Sequence, residues 1–394
     1  MGVGTSSSSI IRVNDRVYRW PDRPLVVLCL DGSSFDYLRE AVAAGVAPYI
    51  AALLARRLLR MVDAAMPTFT NPNNISIVTG VPPARHGICG NFFLNRDTAQ
   101  VAMMNHASLL RAETILAAFS RAGAKVVAIT AKDKLRDLLS AGLNGVCVSA
   151  EQEGQPVYSA RLSEHVLERG VDLIRSIMPD LTYLSTSDYI QHTHAPGAPA
   201  ANRFYAAIDQ QLAILDRMGV TLLITADHGM NAKTDSDGRP RVLFLQTLLD
   251  EWLGQGLAQV VLPITDPYVT HHGSLGSFAT VYLSKSRNAS EITKQLRTLR
   301  GVDVVLDRGA ACDRFELPSD RIGDIVISAD AETVLGTRRS EHDLSELRAP
   351  LRSHGGLAER EVPMLFNRPL NFHPLEHRLR NYDAFFIGLN AMDA

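Results

Sequence analysis

Three carboxylates and three imidazoles in this sequence stand where apolar runs end. Leu25–Leu30 is one such run, and Asp31-Gly32 follows it at once. Leu181–Ser185 is a second, followed by Thr186-Ser187-Asp188-Tyr189-Ile190-Gln191-His192. Val220–Thr225 is a third, followed by Ala226-Asp227-His228-Gly229, and a further histidine lies in Ser353-His354-Gly355-Gly356. Short continuous apolar runs read as buried parallel strands. In open α/β sheets, sites form beyond the carboxyl ends of such strands. Asp188 and His192 are four apart, so on a helical turn they share one face. Asp227 and His228 are adjacent and reach one ion only if the chain turns, which Gly229 permits. Taken singly, each segment has an ordinary explanation, such as a turn aspartate before glycine or a polar loop with spare histidines. Taken together they supply nitrogen and oxygen ligands for two cations and leave open positions. That suits zinc, although iron and manganese accept the same ligand types.

A hydroxyl nucleophile is available in Met66-Pro67-Thr68-Phe69-Thr70-Asn71-Pro72-Asn73-Asn74. Thr68 stands before a helix-like stretch that ends at Gly80. A phosphoryl group there would meet free backbone N–H groups and the positive end of the helix. A threonine hydroxyl is a poor nucleophile unless a cation lowers its proton affinity. The plainer role for Thr68 is a helix N-cap, and Thr70 is its rival as nucleophile.

The elements that must hold these residues alternate. Besides the three runs above, Lys125–Thr130 reads as a buried strand. The stretches Phe35–Ala44, Arg111–Ala122, Leu162–Met178 and Ala201–Met218 read as helices closed by glycine or proline. Alternation of this kind predicts a doubly wound, mostly parallel α/β sheet. The rhythm changes after His228. Turn-rich segments and strands at Phe278–Leu283, Val302–Leu306 and Asp324–Ser328 predict an inserted smaller α+β cap domain over 231–353. The metal-binding core would comprise 20–230 and 354–394, with Val362–Phe366 as a late strand. A chain of 394 residues fits one large core plus a smaller unit.

Composition narrows the partners. With 46% hydrophobic and 21% charged residues and a formal net charge of -2, there is no broad basic footprint for nucleic acid or anionic membrane. The N-terminal segment does not read as a secretory signal, and no apolar run spans a bilayer. The four cysteines are scattered, without a C-x-x-C pair, which suggests neither a disulfide framework nor a thiolate metal site. A cytoplasmic setting is expected. The oligomeric state is left open between a single chain and a homodimer, and His194, His271, His272 and His342 receive no role.

The segments Leu30-Asp31-Gly32, Pro67-Thr68-Phe69, Val78-Thr79-Gly80, His86-Gly87-Ile88 with Asn91, Asp188-x-x-x-His192, Asp227-His228-Gly229-Met230 and Ser353-His354-Gly355 resemble the alkaline phosphatase superfamily, in its nucleotide pyrophosphatase/phosphodiesterase branch. The resemblance spans about residues 25–366. It implies two zinc ions per chain, one held by Asp31, Thr68, Asp227 and His228, the other by Asp188, His192 and His354. It also implies Thr68 as nucleophile and an Asn91 amide on an oxygen of phosphorus. Threonine in place of serine, and the lack of an arginine clamp, depart from alkaline phosphatase itself. Within the branch, Ile129-Thr130-Ala131-Lys132-Asp133-Lys134-Leu135 resembles the phosphonoacetate hydrolases, as does Ser340–Gly356. In that family two lysines hold a substrate carboxylate, and Lys132 and Lys134 match them. The activity this resemblance implies is zinc-dependent hydrolysis of the carbon–phosphorus bond of phosphonoacetate, a small phosphonate, to acetate and phosphate through a phosphothreonyl intermediate. A phosphodiesterase or pyrophosphatase on the same core is the alternative, and a binding protein without turnover is a third reading. The bland role of the lysines is a solvated face.

Overall fold

The computed structural model describes residues 10–264, 275–284, 288–345, 347, 349–371 and 378–392. His271 and His272 lie outside them.

Seven strands form the main sheet, in the order Leu59–Asp63, Glu361–Phe366, Thr221–Thr225, Leu25–Cys29, Leu181–Ser185, Val126–Thr130, Val146–Ser149. The five from Thr221–Thr225 to Val146–Ser149 pair in parallel, while Glu361–Phe366 runs antiparallel to both its neighbours. The sheet is therefore mostly parallel, as strand–helix alternation predicts. Every residue of Leu25–Cys29, Val126–Thr130, Leu181–Ser185 and Thr221–Thr225 is buried. Burial on both faces is why these strands are continuously apolar rather than alternating. The edge strands Leu59–Asp63 and Val146–Ser149 are only partly buried and carry polar residues.

The helices Ala160–Ile177 and Pro199–Arg217 cover the sheet where long amphipathic stretches predict them. The expected helix Arg111–Ala122 is shorter, Ile115–Arg121, because Thr114 caps it: its Oγ1 accepts the Ala117 N–H at 3.0 Å. No single helix among the described residues is long and apolar enough to cross a membrane.

A second sheet holds Ala258–Val261, Phe278–Leu283, Ile325–Ala329 and Val302–Asp307, all antiparallel, in that order. It has its own apolar cluster, in which Leu249, Ile292 and Leu296 from helices meet Val281 and Ile327. The chain enters and leaves this region side by side, since Asn231–Ala232 pairs antiparallel with Arg352–Ser353.

Candidate active site

The parallel strands end at one edge of the main sheet and deliver the carboxylates there. Asp31, Asp188 and Asp227 are all buried, as are His192, His228 and His354. They fall into two groups, Asp31 with Asp227 and His228, and Asp188 with His192 and His354. Within each group the ligand atoms lie within 4.8 Å of one another. His228 Nε2 is 3.2 Å from Asp31 Oδ1 and 3.6 Å from Asp227 Oδ2. His192 Nε2 is 3.0 Å from Asp188 Oδ2. That pair sits on the short helix Tyr189–Thr193 with Asp188 at its N-cap, which is the shared face that the i, i+4 spacing predicts. The rings of His228 and His354 stack at 3.6 Å and 5°, so the two groups adjoin.

Backbone carbonyls orient all three imidazoles. Nδ1 of His192 donates to Arg352 O at 2.9 Å, that of His228 to Gly229 O at 2.9 Å, and that of His354 to Thr68 O at 2.8 Å. A carbonyl only accepts, so Nδ1 carries a proton, and Nε2 is the atom that faces the carboxylates and, once deprotonated, could bind a cation. Second-sphere bonds of this kind hold metal-binding histidines in one tautomer. Asp227 is fixed likewise. Its Oδ1 accepts the N–H groups of Gly32 and His228, and its Oδ2 accepts Asn74 Nδ2 at 3.3 Å. Asn74 is itself locked, because its Oδ1 takes the hydroxyls of Tyr183 and Ser185.

Three buried carboxylates create a charge problem. Burial, together with the nearby charges of Asp188 and Asp227, pushes the Asp31 carboxyl well above its ordinary range. Burial opposes a proton on His228, but the Asp227 and Asp31 carboxylates outweigh it and raise that imidazole to about 10. Burial and the neighbouring His228 and His192 depress His354. Burial would raise Asp188 too, yet Lys132 and His192 overcome it and hold Asp188 low. Asp31 Oδ2 is buried with no hydrogen-bond partner among the described residues. Such an orphaned oxygen, in two clusters of nitrogen and oxygen donors, fits a pair of divalent cations.

A cavity of about 270 Å³ opens beside both groups. Asp31, Thr70, Asn91, Lys132, Lys134, Asp188, His192 and His354 line it. Lys132 Nζ is 3.2 Å from Asp188 Oδ1, and Lys134 stands exposed at the rim. Both lysines follow the strand Val126–Thr130, at the start of the helix Asp133–Leu139. Glu151 Oε2 accepts the Asp133 N–H at 2.8 Å and ties this lysine segment down.

The expected place of Thr68 needs correction. Its hydroxyl is fully buried and donates to Gly356 O at 2.9 Å while accepting the Gly355 N–H at 3.0 Å. Thr68 and Gly355 form an antiparallel bridge, and a Cβ on Gly355, whose φ is +119°, would run into the Phe69 ring. This pairing turns Thr68 away from the cavity. Thr70, first residue of the helix Thr70–Thr79, takes the position instead, with Oγ1 3.4 Å from both Asp31 Oδ1 and His228 Nε2. The first N–H groups of a helix have no partner within it, so the start of this one favours an anion nearby.

A sequence model of the type I phosphodiesterase / nucleotide pyrophosphatase family matches residues 25–357. The chain belongs to that family. Among solved structures it is similar to the phosphonoacetate hydrolase of Sinorhizobium meliloti in complex with phosphonoformate, at 50% identity and a TM-score of 0.94, over 98% of this chain and 99% of that one. The same enzyme in complex with phosphonoacetate matches at 49% identity and a TM-score of 0.93, again over 98% and 99%. Murine ectonucleotide pyrophosphatase / phosphodiesterase 5 shares the fold, at 19% identity and a TM-score of 0.66 over 94% of this chain and 96% of that one.

In this phosphodiesterase-family chain, Asp31, Asp188, His192, His354, Asn91 and both lysines line one cavity, and Asp227 and His228 lie beside Asp31. Sequence reasoning overlooked Asn74, Glu151, Tyr158, which lines the cavity, and Thr186, whose Oγ1 accepts the Asp31 N–H at 3.0 Å. Consecutive asparagines inside a buried helix were a usable signal for Asn74, since buried amides need partners. Tyr158 lies in an irregular segment with no pattern to mark it. His194 offers its backbone carbonyl to Tyr37, and His342 packs near Phe244 in a separate groove, so neither joins the clusters.

Proposed function

We propose that this chain hydrolyses the carbon–phosphorus bond of phosphonoacetate, giving acetate and phosphate. The observation that carries the reading is that Lys132 and Lys134 line the same cavity as Thr70, Asp31 and the Asp188/His192/His354 group. The near full-length likeness to phosphonoacetate hydrolase supports it. Asp31, Asp227 and His228 would hold one cation, and Asp188, His192 and His354 the other, with zinc favoured by the mixed donors. When bound, the two cations would neutralise the carboxylates, lower the proton affinity of an adjacent hydroxyl and draw charge from the phosphonate oxygens.

The chain's own residues do the rest. Thr70 Oγ1 is the nucleophile, in place of Thr68. The helix N-terminus at Thr70 and the Asn91 amide receive the phosphonate oxygens. Lys132 and Lys134 bind the substrate carboxylate. As the Thr70 oxygen bonds to phosphorus, the carbon–phosphorus pair leaves on the methylene carbon as an enediolate. The lysines stabilise its charge at the carboxylate end. That carbon takes up a proton, matching the one Thr70 gives up, and becomes acetate. Water then cleaves the phosphothreonyl ester, releasing phosphate and restoring Thr70. Residues 231–353 would act as a cap that braces the site. Four free cysteines accord with a reducing, cytoplasmic setting.

Phosphodiester cleavage on the same core is the second reading, favoured by the family match and by Tyr158 at the cavity wall as a surface for a base. The test is release of acetate and phosphate from phosphonoacetate, run beside a nitrophenyl phosphodiester. Faster turnover of the diester would overturn the first reading in favour of the second.

A further inference from the structure

Behind the two ligand groups lies a charged pair that the chemistry above does not use. Lys233 and Glu359 both have wholly buried side chains, with Nζ and Oε1 2.8 Å apart. Apolar residues of similar volume are often as stable as a buried ion pair, so stability alone is a weak reason for one. The connections of this pair are more specific. Glu359 Oε2 accepts the Gly356 N–H at 3.0 Å, two residues from His354. Its Oε1 also accepts Asn231 Nδ2 at 2.7 Å. The Glu359 backbone carbonyl accepts the Gly229 N–H at 2.8 Å, next to His228. Lys233 Nζ donates to Ala331 O at 2.9 Å, beyond the second-sheet strand Ile325–Ala329, and the Lys233 N–H donates to Leu351 O at 2.7 Å. Gly356 O in turn accepts the Thr68 hydroxyl. One residue thus bonds the turn after His228 and the loop after His354, which belong to different ligand groups.

We propose that Glu359 is a positioning residue. Its carboxylate, neutralised by Lys233, sets the place of the His354 loop relative to the Asp227-His228 turn, and so the spacing between the two cation sites. The inference rests on the two-cation reading above. The bond from Gly229 goes to a backbone carbonyl and survives any side-chain exchange, whereas the bond from Gly356 does not. Loss of the carboxylate therefore loosens the Asp188/His192/His354 site and spares the Asp31/Asp227/His228 site.

The test uses the full chain, stripped of metal and titrated with zinc against a chromogenic chelator, which yields two dissociation constants. Melting of the metal-free protein is followed in parallel. The double variant Lys233→Met/Glu359→Leu removes the acceptor without leaving an unpaired buried charge. It should weaken one site by about 10–100-fold, the usual cost of losing an outer-sphere partner, and leave the other unchanged. Lys233→Met/Glu359→Gln keeps an acceptor for Gly356 and should recover most of the affinity. Unchanged affinity at both sites of the Leu variant overturns the inference. So does equal weakening of both sites in step with a lower melting temperature, which marks a merely structural pair. A wild-type chain that takes up fewer than two ions overturns the two-cation reading and this inference with it. Two ions in wild type with an unchanged Leu variant overturn this inference alone. Should the Leu variant not fold, Asn231→Ala, which removes one half-buried donor to Glu359, should show a smaller loss at the same single site. No change at either site of that variant counts against Glu359.

Discussion

In the seven-stranded sheet, Leu25–Cys29, Leu181–Ser185 and Thr221–Thr225 run parallel and stop just before Asp31, Asp188 and Asp227. In the four-stranded sheet every pairing is antiparallel, and none of its strands carries a residue of either ligand group. Parallel strands bring all their carboxyl ends to one edge, so polar residues placed after them converge. Antiparallel neighbours send alternate ends to opposite edges and cannot collect ligands this way. What the second sheet region offers is backbone. Ser277 N–H donates to His354 O at 2.8 Å, Pro263 O accepts the Asn91 N–H at 2.8 Å, and Ala331 O accepts Lys233. One sheet gathers the ligand-type side chains, and the region of the other supports them through backbone hydrogen bonds.

The sharpest way to break this division is at the nucleophile. Thr70→Ala should lower kcat on phosphonoacetate by roughly 10⁴–10⁶-fold, as loss of a nucleophile does elsewhere. Thr68→Ala should keep most of its turnover and lose about 1–2 kcal/mol of stability from its two hydrogen bonds. Phosphate release and melting curves decide the matter, and a dead Thr68 variant beside an active Thr70 variant would restore Thr68 to the chemistry.

Removal of metal comes next. Chelation should abolish turnover, and full activity after verified removal would reject the two-cation site. In the metal-free chain His228 is raised from 6.5 to about 10, so it carries a proton that a cation must displace. Affinity should therefore tighten by up to about tenfold per pH unit as pH climbs toward about 10 and level off above it. The metal-free fold shows the opposite sign. Stability contributed by protonated His228 is fully present below about pH 6.5 and is lost as pH rises through about 10. Chelator competition and melting at several pH values check both, and a flat affinity profile would count against His228 as a ligand.

Smaller and selective losses are expected at the lysines. Lys132→Ala and Lys134→Ala should each cost about 10–100-fold in kcat/KM toward phosphonoacetate, the worth of one charge-assisted hydrogen bond. A nitrophenyl phosphodiester, lacking the carboxylate, should hardly respond. Equal losses on both substrates would assign the lysines to structure, for which the Lys132–Asp188 contact gives a route.

The smallest effect tests the bracing sheet. Ser277 Oγ donates to Thr333 O at 2.7 Å. Ser277→Ala should cost about 1 kcal/mol of stability and leave cation affinity intact. A large loss of zinc affinity in that variant would erase the distinction between the two sheets.

Much of this was written in local sequence. Buried parallel strands must be apolar along their whole length, so Leu181–Ser185 and Thr221–Thr225 announce themselves, and a carboxylate or imidazole directly after such a run is chemically conspicuous. The i, i+4 spacing of Asp188 and His192 carried its own geometry. The edge strands were silent, because Leu59–Asp63 and Val146–Ser149 are half-solvated and lack the unbroken apolar signature. Only the tertiary structure gives two threonines two residues apart different surroundings. Thr68 is claimed by Gly355, 287 residues away in sequence, and that pairing leaves Thr70 to face the carboxylates. Lys233 likewise reads as a solvated lysine until the fold buries it against Glu359, 126 residues on. Residue type and spacing depend on neighbours along the chain, whereas the direction of a hydroxyl and the burial of a charge depend on partners that only folding brings near.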